Sequence, residues 1–317
     1  MNKKNLCFLT LFSIFYAYSY LLVSNYTDGD QAVYRALYEA LASSNFSQIL
    51  ETSYYHVTAN DGLSFYILWI GASLGINKDV FISLLNAILL IGLYKLKIKY
   101  KIDRLMFFLI LTNFYVVVLM TGAERLKFAF IFLIFAEITE RKWLKITLSS
   151  LSISAHLQSI ILISSAVLGE YSQAIIKKIR NKKISFNVFI GLILFFLLIS
   201  YAAYVKQEDI LSKYNSYSSG GIRLYEILQI SSLLFFTLFF IKNKTSLLFS
   251  LIPLGAAAAV LGGQRVNMIA VIVTILIFWK EGKQNHPVLY AIMIYLSFKS
   301  IDFIYNIMLH GNGFYRI

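Results

Sequence analysis

The chain has 317 residues, 58% of them hydrophobic and 14% charged, with a mean hydropathy of +0.69. Soluble domains carry about 25% charged and about 45–50% apolar residues, so lipid is the solvent for most of this chain; a soluble enzyme, a secreted disulfide scaffold and a nucleic-acid-binding domain are excluded. The net charge of +13 reads as Lys and Arg gathered in short cytoplasmic loops, and Cys7, the one cysteine, allows no intramolecular disulfide.

Leu6 to Ser24 is the first apolar run, preceded by Lys3 and Lys4. It is longer than a signal-peptide core and no small-x-small cleavage site follows it, so it reads as a retained span with its N-terminus inside. Residues 25–61 form a polar stretch with five acidic residues against Arg35, the balance of an external loop. Two short apolar runs follow, Leu63 to Ile76 and Val80 to Leu96, then the basic cluster Lys95 to Arg104. Leu105 to Thr121 and Leu126 to Ile138 read as spans. Trp143 to Leu168 is apolar but carries five Ser residues, His156 and Gln158 in its middle. A second basic cluster, Lys177 to Lys183, precedes a span at Phe186 to Val205 and a second external loop at 206–223. Spans at Leu224 to Ile241, Leu247 to Leu261, Val266 to Trp279 and Val288 to Met308 complete the chain.

At about 20 apolar residues per crossing of a roughly 30 Å hydrocarbon core, this length accommodates about ten to twelve spans. The two basic clusters both belong inside, so an even number of crossings separates them. Three runs lie between, and breaking the third near His156 restores parity, which puts His156 at an external turn on the side of Arg125. By the same reasoning Leu63 to Ile76 is a half-helix that does not fully cross. The expected fold is an all-α, polytopic integral membrane bundle forming one domain over 1–317. Short and broken helices build an external cavity in it, since irregular backbone at membrane depth must be covered by protein or water.

Ionisable residues within or at the ends of spans are functional candidates by default. Arg125, His156, Arg223 and Arg265 all fall on the external side, where cations are disfavoured. The planar fork of Arg grips phosphate oxygens in pairs, so converging Arg residues suit a phosphate or pyrophosphate ligand; the structural alternative for Arg125 is an ion pair with its neighbour Glu124. His156 has the chemistry of a general base towards a sugar hydroxyl, or of a phosphate ligand when protonated. Asp28 and Asp30 open the first external loop and offer carboxylates as proton acceptors or hydroxyl ligands, with a solvated helix start as the structural alternative. Tyr34 and Tyr38 at i, i+4 spacing offer faces for sugar rings, as do Tyr214 and Tyr217 in the second loop. No Walker A motif, dinucleotide fingerprint, HExxH, CxxC or nucleophile elbow occurs.

The combination of Asp28, Asp30 and Tyr34, then Glu124-Arg125-Leu126-Lys127-Phe128-Ala129, Lys142 and Ser154-Ala155-His156-Leu157-Gln158-Ser159, with Lys213-Tyr214 before a span and Arg265 after a Gly pair, resembles EpsG-like membrane proteins, a branch of the Wzy-type O-antigen and polysaccharide polymerases. Leu126 departs from the family, which has Gln or a similar residue after the Arg. The resemblance implies a glycosyltransferase of the bacterial inner membrane with its site facing the periplasm. Such an enzyme transfers a growing glycan from one undecaprenyl pyrophosphate carrier to a fresh lipid-linked repeat unit of O-antigen, capsule or exopolysaccharide. It also implies Arg125 and Arg265, with Arg223, stabilising the pyrophosphate leaving group, and His156, Asp28 or Asp30 as base. No metal and no cofactor is needed, and a chain-length regulator is a possible partner besides the bilayer. The competing readings are an O-antigen ligase-like transferase and a flippase or transporter of lipid-linked repeat units.

Overall fold

The computed structural model of the chain describes residues 3–57, 62–180, 224–261 and 263–315, and every regular element among them is a helix. The first, α1 (Lys3–Asn25), is about 34 Å long at about 1.5 Å per residue. The polar stretch beyond it is not an irregular loop. It folds as α2 (Asp30–Ala42), a 3-10 turn at Phe46–Gln48 and α3 (Ile49–Val57). Gln31, Tyr34, Leu37, Tyr38 and Leu41 recur at helical spacing and form the buried face of α2. That face packs on α4 (Gly62–Ser73), an apolar helix of about 18 Å, too short to cross a bilayer. Their close approach depends on Gly71, where a Cβ would lie 2.5 Å from the Tyr38 hydroxyl and 2.6 Å from the Phe81 ring.

Asn77 caps α5 (Lys78–Lys99), its side chain accepting from the Asp79 and Val80 N–H groups. α5 packs antiparallel on α1. Asn86 Nδ2 donates to Ser19 Oγ at 2.7 Å, and Arg35 of α2 bridges the paired ends by donating to the Val23 and Tyr26 carbonyls and pairing with Asp79 at 2.8 Å.

The run from Leu105 to Thr121, expected as one span, is broken. α6 (Arg104–Thr112) and α7 (Phe114–Thr121) meet at 48° on either side of Asn113. Asn113 satisfies both helix ends, its amide donating to the Ile110 carbonyl and its oxygen accepting from the Tyr115 and Val116 N–H groups. α8 (Glu124–Ile138) and α9 (Lys142–Ala155) then pack side by side. The expected break near His156 is there: α9 ends at Ala155, His156 is extended, and α10 (Ser159–Arg180) follows.

The chain divides into two units, Met1–Ser159 with Gln284–Ile317, and Ile160–Lys283. In the second, α11 (Leu224–Phe240), α12 (Lys244–Leu261) and α13 (Gly263–Lys280) are neighbours. Glu170 pairs with Lys280 at 2.9 Å, and the Glu281 carboxylate accepts from the Lys242 and Asn243 N–H groups at 3.0 and 2.9 Å. The last helix, α14 (Pro287–His310), belongs to the first unit and packs on α6, α7 and α1. It closes at Gly311, at φ +64°, whose carbonyl accepts from the Thr27 and Asp28 N–H groups at 3.0 and 2.8 Å. Among the described residues, α1, α5 and α14 are long and apolar enough to cross a membrane, and the bent α6–α7 pair makes a fourth if it is one span. The expected span at 186–205 and the second external loop at 206–223 lie outside the described residues.

Two outcomes follow from this packing. Gly71→Ala forces Tyr38 and Phe81 apart and should cost about 1–3 kcal/mol, read as a lowered thermal midpoint in detergent. Burial opposes ionisation of Glu281, but the Asn243 and Lys242 N–H donors and Lys283 outweigh it and hold its carboxyl below the usual range. A depressed carboxylate contributes stability that is present above its unfolded pKa and lost as pH falls through the folded value. The stability gap between wild type and Glu281→Gln should therefore close as pH falls through and below the ordinary carboxylate range.

Candidate functional site

At one end of the first unit the last turns of α1, α7 and α9 meet the first turns of α2, α4, α5 and α8, beside the end of α14 at Gly311. Side chains satisfy much of this junction. Glu124, in the first turn of α8, is fully buried, as is Lys127 one turn on, and Lys78 is 6% exposed. Lys78 Nζ donates to Glu124 Oε1 at 2.7 Å and to Gln31 Oε1 at 2.6 Å. The other end of the Gln31 amide donates to Glu124 Oε1 at 2.8 Å and to the Thr121 carbonyl. The amide of Gln31 can turn only one way here, with its oxygen to the ammonium and its nitrogen to the carboxylate. Lys127 Nζ donates to the Met120 carbonyl at 3.3 Å, an oxygen it shares with Asn86 Nδ2 at 2.8 Å. Among the described residues Glu124 Oε2 has no hydrogen-bond partner, so the carboxylate is bonded through a single oxygen.

Successive residues of a helix point about 100° apart, so Arg125 leaves this cluster and faces α2 and α4. Its Nε donates to the Tyr34 hydroxyl at 3.1 Å, and the side chain is half-buried. The Ser64 hydroxyl of α4 donates to the Ala155 carbonyl at 2.6 Å, with the Arg125 carbonyl 3.4 Å away. One hydroxyl thus ties the first turn of α8 to the last turn of α9, and His156 is the next residue. The backbone of His156 is held on both sides, its N–H donating to Ser152 and its carbonyl accepting from the N–H and hydroxyl of Ser159.

Ser64 therefore ties the backbone of Arg125, whose side chain rests on Tyr34, to the end of α9 just before His156. Glu124 does not pair with Arg125; its partner is Lys78. Tyr34 and Tyr38 are 7% and 6% exposed, so neither offers an open ring face for a sugar. Instead the Tyr34 hydroxyl receives Arg125 and the Tyr38 hydroxyl donates to the Ile76 carbonyl at 2.9 Å. Asp28 and Asp30 are both exposed, the first held by its backbone at Gly311 and the second in the opening turn of α2. Arg223, Tyr214 and Tyr217 lie outside the described residues. Arg265 falls in the first turn of α13, with its side chain outside the described set.

Sequence reasoning missed Gln31, Ser64, Lys78 and Lys127. The signal for Lys78 was present: a cation between two apolar runs is costly unless paired. Gln31 shares the i, i+3, i+7 pattern of Tyr34 and Tyr38, which marks it as core-facing. Removing one partner of a buried ion pair strands the other, so Lys78→Met or Glu124→Gln should each cost about 3–5 kcal/mol. The double variant should cost much less than their sum; a thermal double-mutant cycle in detergent measures the difference.

In comparisons with family models, with curated proteins and with solved structures, the chain matches none.

Proposed function

We propose that the chain is a membrane glycosyltransferase that polymerises undecaprenyl-pyrophosphate-linked oligosaccharide repeat units at the external face of the bacterial inner membrane. In this reading the bundle has about ten to twelve spans, and the end holding Arg125 and His156 opens towards the periplasm. The observation that supports it is that Ser64 ties the backbone of Arg125, whose guanidinium is half-buried on Tyr34, to that of Ala155, the residue before His156, at the end of the unit where helices are short and broken.

The transfer breaks the bond between the anomeric carbon of the glycan and a pyrophosphate oxygen, and forms a bond from that carbon to a hydroxyl oxygen of the acceptor repeat. The hydroxyl proton passes to the base, His156 or one of Asp28 and Asp30. The leaving pyrophosphate takes the electron pair and gains negative charge in the transition state. A cation already oriented before reaction stabilises that charge without reorganising. Arg125 meets the requirement because Tyr34 holds its Nε while burial of Glu124 fixes the turn beneath it. Arg265 and Arg223 are further candidates for gripping the pyrophosphate, and Tyr214 and Tyr217 for stacking on sugar.

The test is a surface-polysaccharide gel from a deletion strain carrying wild type, Arg125→Ala, His156→Ala or Arg265→Ala. Wild type should restore a ladder, and Arg125→Ala and His156→Ala should leave one repeat on the core, with turnover of purified enzyme down about 100- to 1,000-fold for Arg125→Ala. Arg125→Lys should rescue poorly, because an ammonium lacks the planar fork. Loss of every repeat-bearing band in the deletion strain would assign the chain to ligation or flipping instead, and a normal ladder from all three variants would overturn the site.

A further inference from the structure

α2, α3 and α4 sit at the end of the first unit where α1 finishes and α5 begins, because Arg35 of α2 reaches Val23, Tyr26 and Asp79 together. With α1 and α5 as an antiparallel spanning pair, that end lies at headgroup level. α4 is as apolar as a span yet too short to cross, and besides α2 and α3 it packs on α9, α8 and α5. Phe46, in the turn between α2 and α3, packs its ring against Tyr66 and Trp69 of α4, with centroids 5.0 and 5.8 Å apart. The Trp69 indole N–H donates to the Ser44 carbonyl at 2.9 Å. Leu50 and Tyr54 follow Phe46 at steps of four, and all three are exposed, while Ile49 and Ser53 beside them are buried. Ile70 of α4 is also exposed. Residues 43–50 and 62–77 contain no charged side chain.

We propose that Phe46, Leu50, Tyr54, Tyr66, Trp69 and Ile70 form a face that lies in the headgroup–acyl boundary of the bilayer, so that this cap is an interfacial element rather than an aqueous loop. Position selects lipid as the occupant. At this level the apolar phase beside α1 is the membrane itself, and a soluble partner would have to displace it. Residue type agrees, since Tyr and Trp rings with one polar atom concentrate at the interface. Arg35 is the one Lys or Arg in residues 26–77, and it is committed to Asp79. The contact is therefore driven by apolar burial and is indifferent to anionic lipid. The inference rests on α1 and α5 spanning the membrane and not on the proposed polymerase chemistry.

The experiment places full-length protein, Cys7→Ser, in phosphatidylcholine liposomes with a single NBD-labelled cysteine at Leu50, Tyr54 or, as the aqueous control, exposed Glu39. Labels at 50 and 54 should be quenched at least about twofold more by shallow doxyl-lipid than by aqueous iodide, with the reverse at 39, and adding anionic lipid should change neither. In Trp143→Phe/Trp279→Phe protein, quenching of Trp69 by brominated lipid gives the same reading with Leu50 and Tyr54 native. Iodide quenching at 50 and 54 would overturn the proposal in favour of an aqueous face, and protection from both quenchers would overturn it in favour of a protein partner.

Discussion

The first unit is organised around an ammonium and a carboxylate that have both been taken out of water. Lys78 and Glu124 come from different helices, and their 2.7 Å contact compensates a desolvation that neither could meet alone. Gln31 completes the contact from a third helix, presenting its oxygen to the cation and its nitrogen to the anion. Such an arrangement tolerates little displacement, because moving any one of the three groups leaves another buried and unsatisfied. The ends of α2, α5 and α8 are held in register by this requirement, and the Thr121 carbonyl brings in α7.

What the junction positions is the residue beside it. With Glu124 turned inward, the helical phase carries Arg125 to the opposite wall, where Tyr34 and Ser64 wait on α2 and α4. Ser64 then couples α8 to the end of α9, and the chain leaves the helix at His156. The Arg125 side chain and the His156 backbone thus take their positions from contacts made by Tyr34, Ser64, Ser152 and Ser159. The exposed Asp28 and Asp30 are held differently, the first through its backbone at Gly311 and the second in the opening turn of α2.

The same buried face of α2 that delivers Gln31 and Tyr34 to this junction also seats the α2–α4 cap. Tyr38 lies against Gly71 and Phe81, so the space left by one missing Cβ governs how closely α2 approaches the α4–α5 corner. The apolar side chains that this cap leaves exposed, Phe46, Leu50, Tyr54 and Ile70, are what make lipid the neighbour proposed for it.

Hydropathy and charge order are properties of short stretches of chain, and the features that depend on them were legible in the amino-acid sequence: helices apolar enough to cross a membrane, a short α4 that cannot, and the interruption at His156, where a run of Ser and a parity argument coincide. The partner of Glu124 was not legible. It is 46 residues away, while the adjacent Arg125 offers an equally good charge, and only the rotation of α8 against α5 decides between them. Tyr34 and Tyr38 look alike in an exposed or a buried helix until α4 is packed over them. The bend at Asn113 escaped for a related reason: an amide in an apolar run reads as a tolerated polar residue, and whether it instead caps a new helix depends on where the neighbouring α14 directs the chain. Local composition sets which segments become helices and which solvent they prefer; pairing of side chains depends on helix rotation and contact between distant segments, which only the folded chain determines.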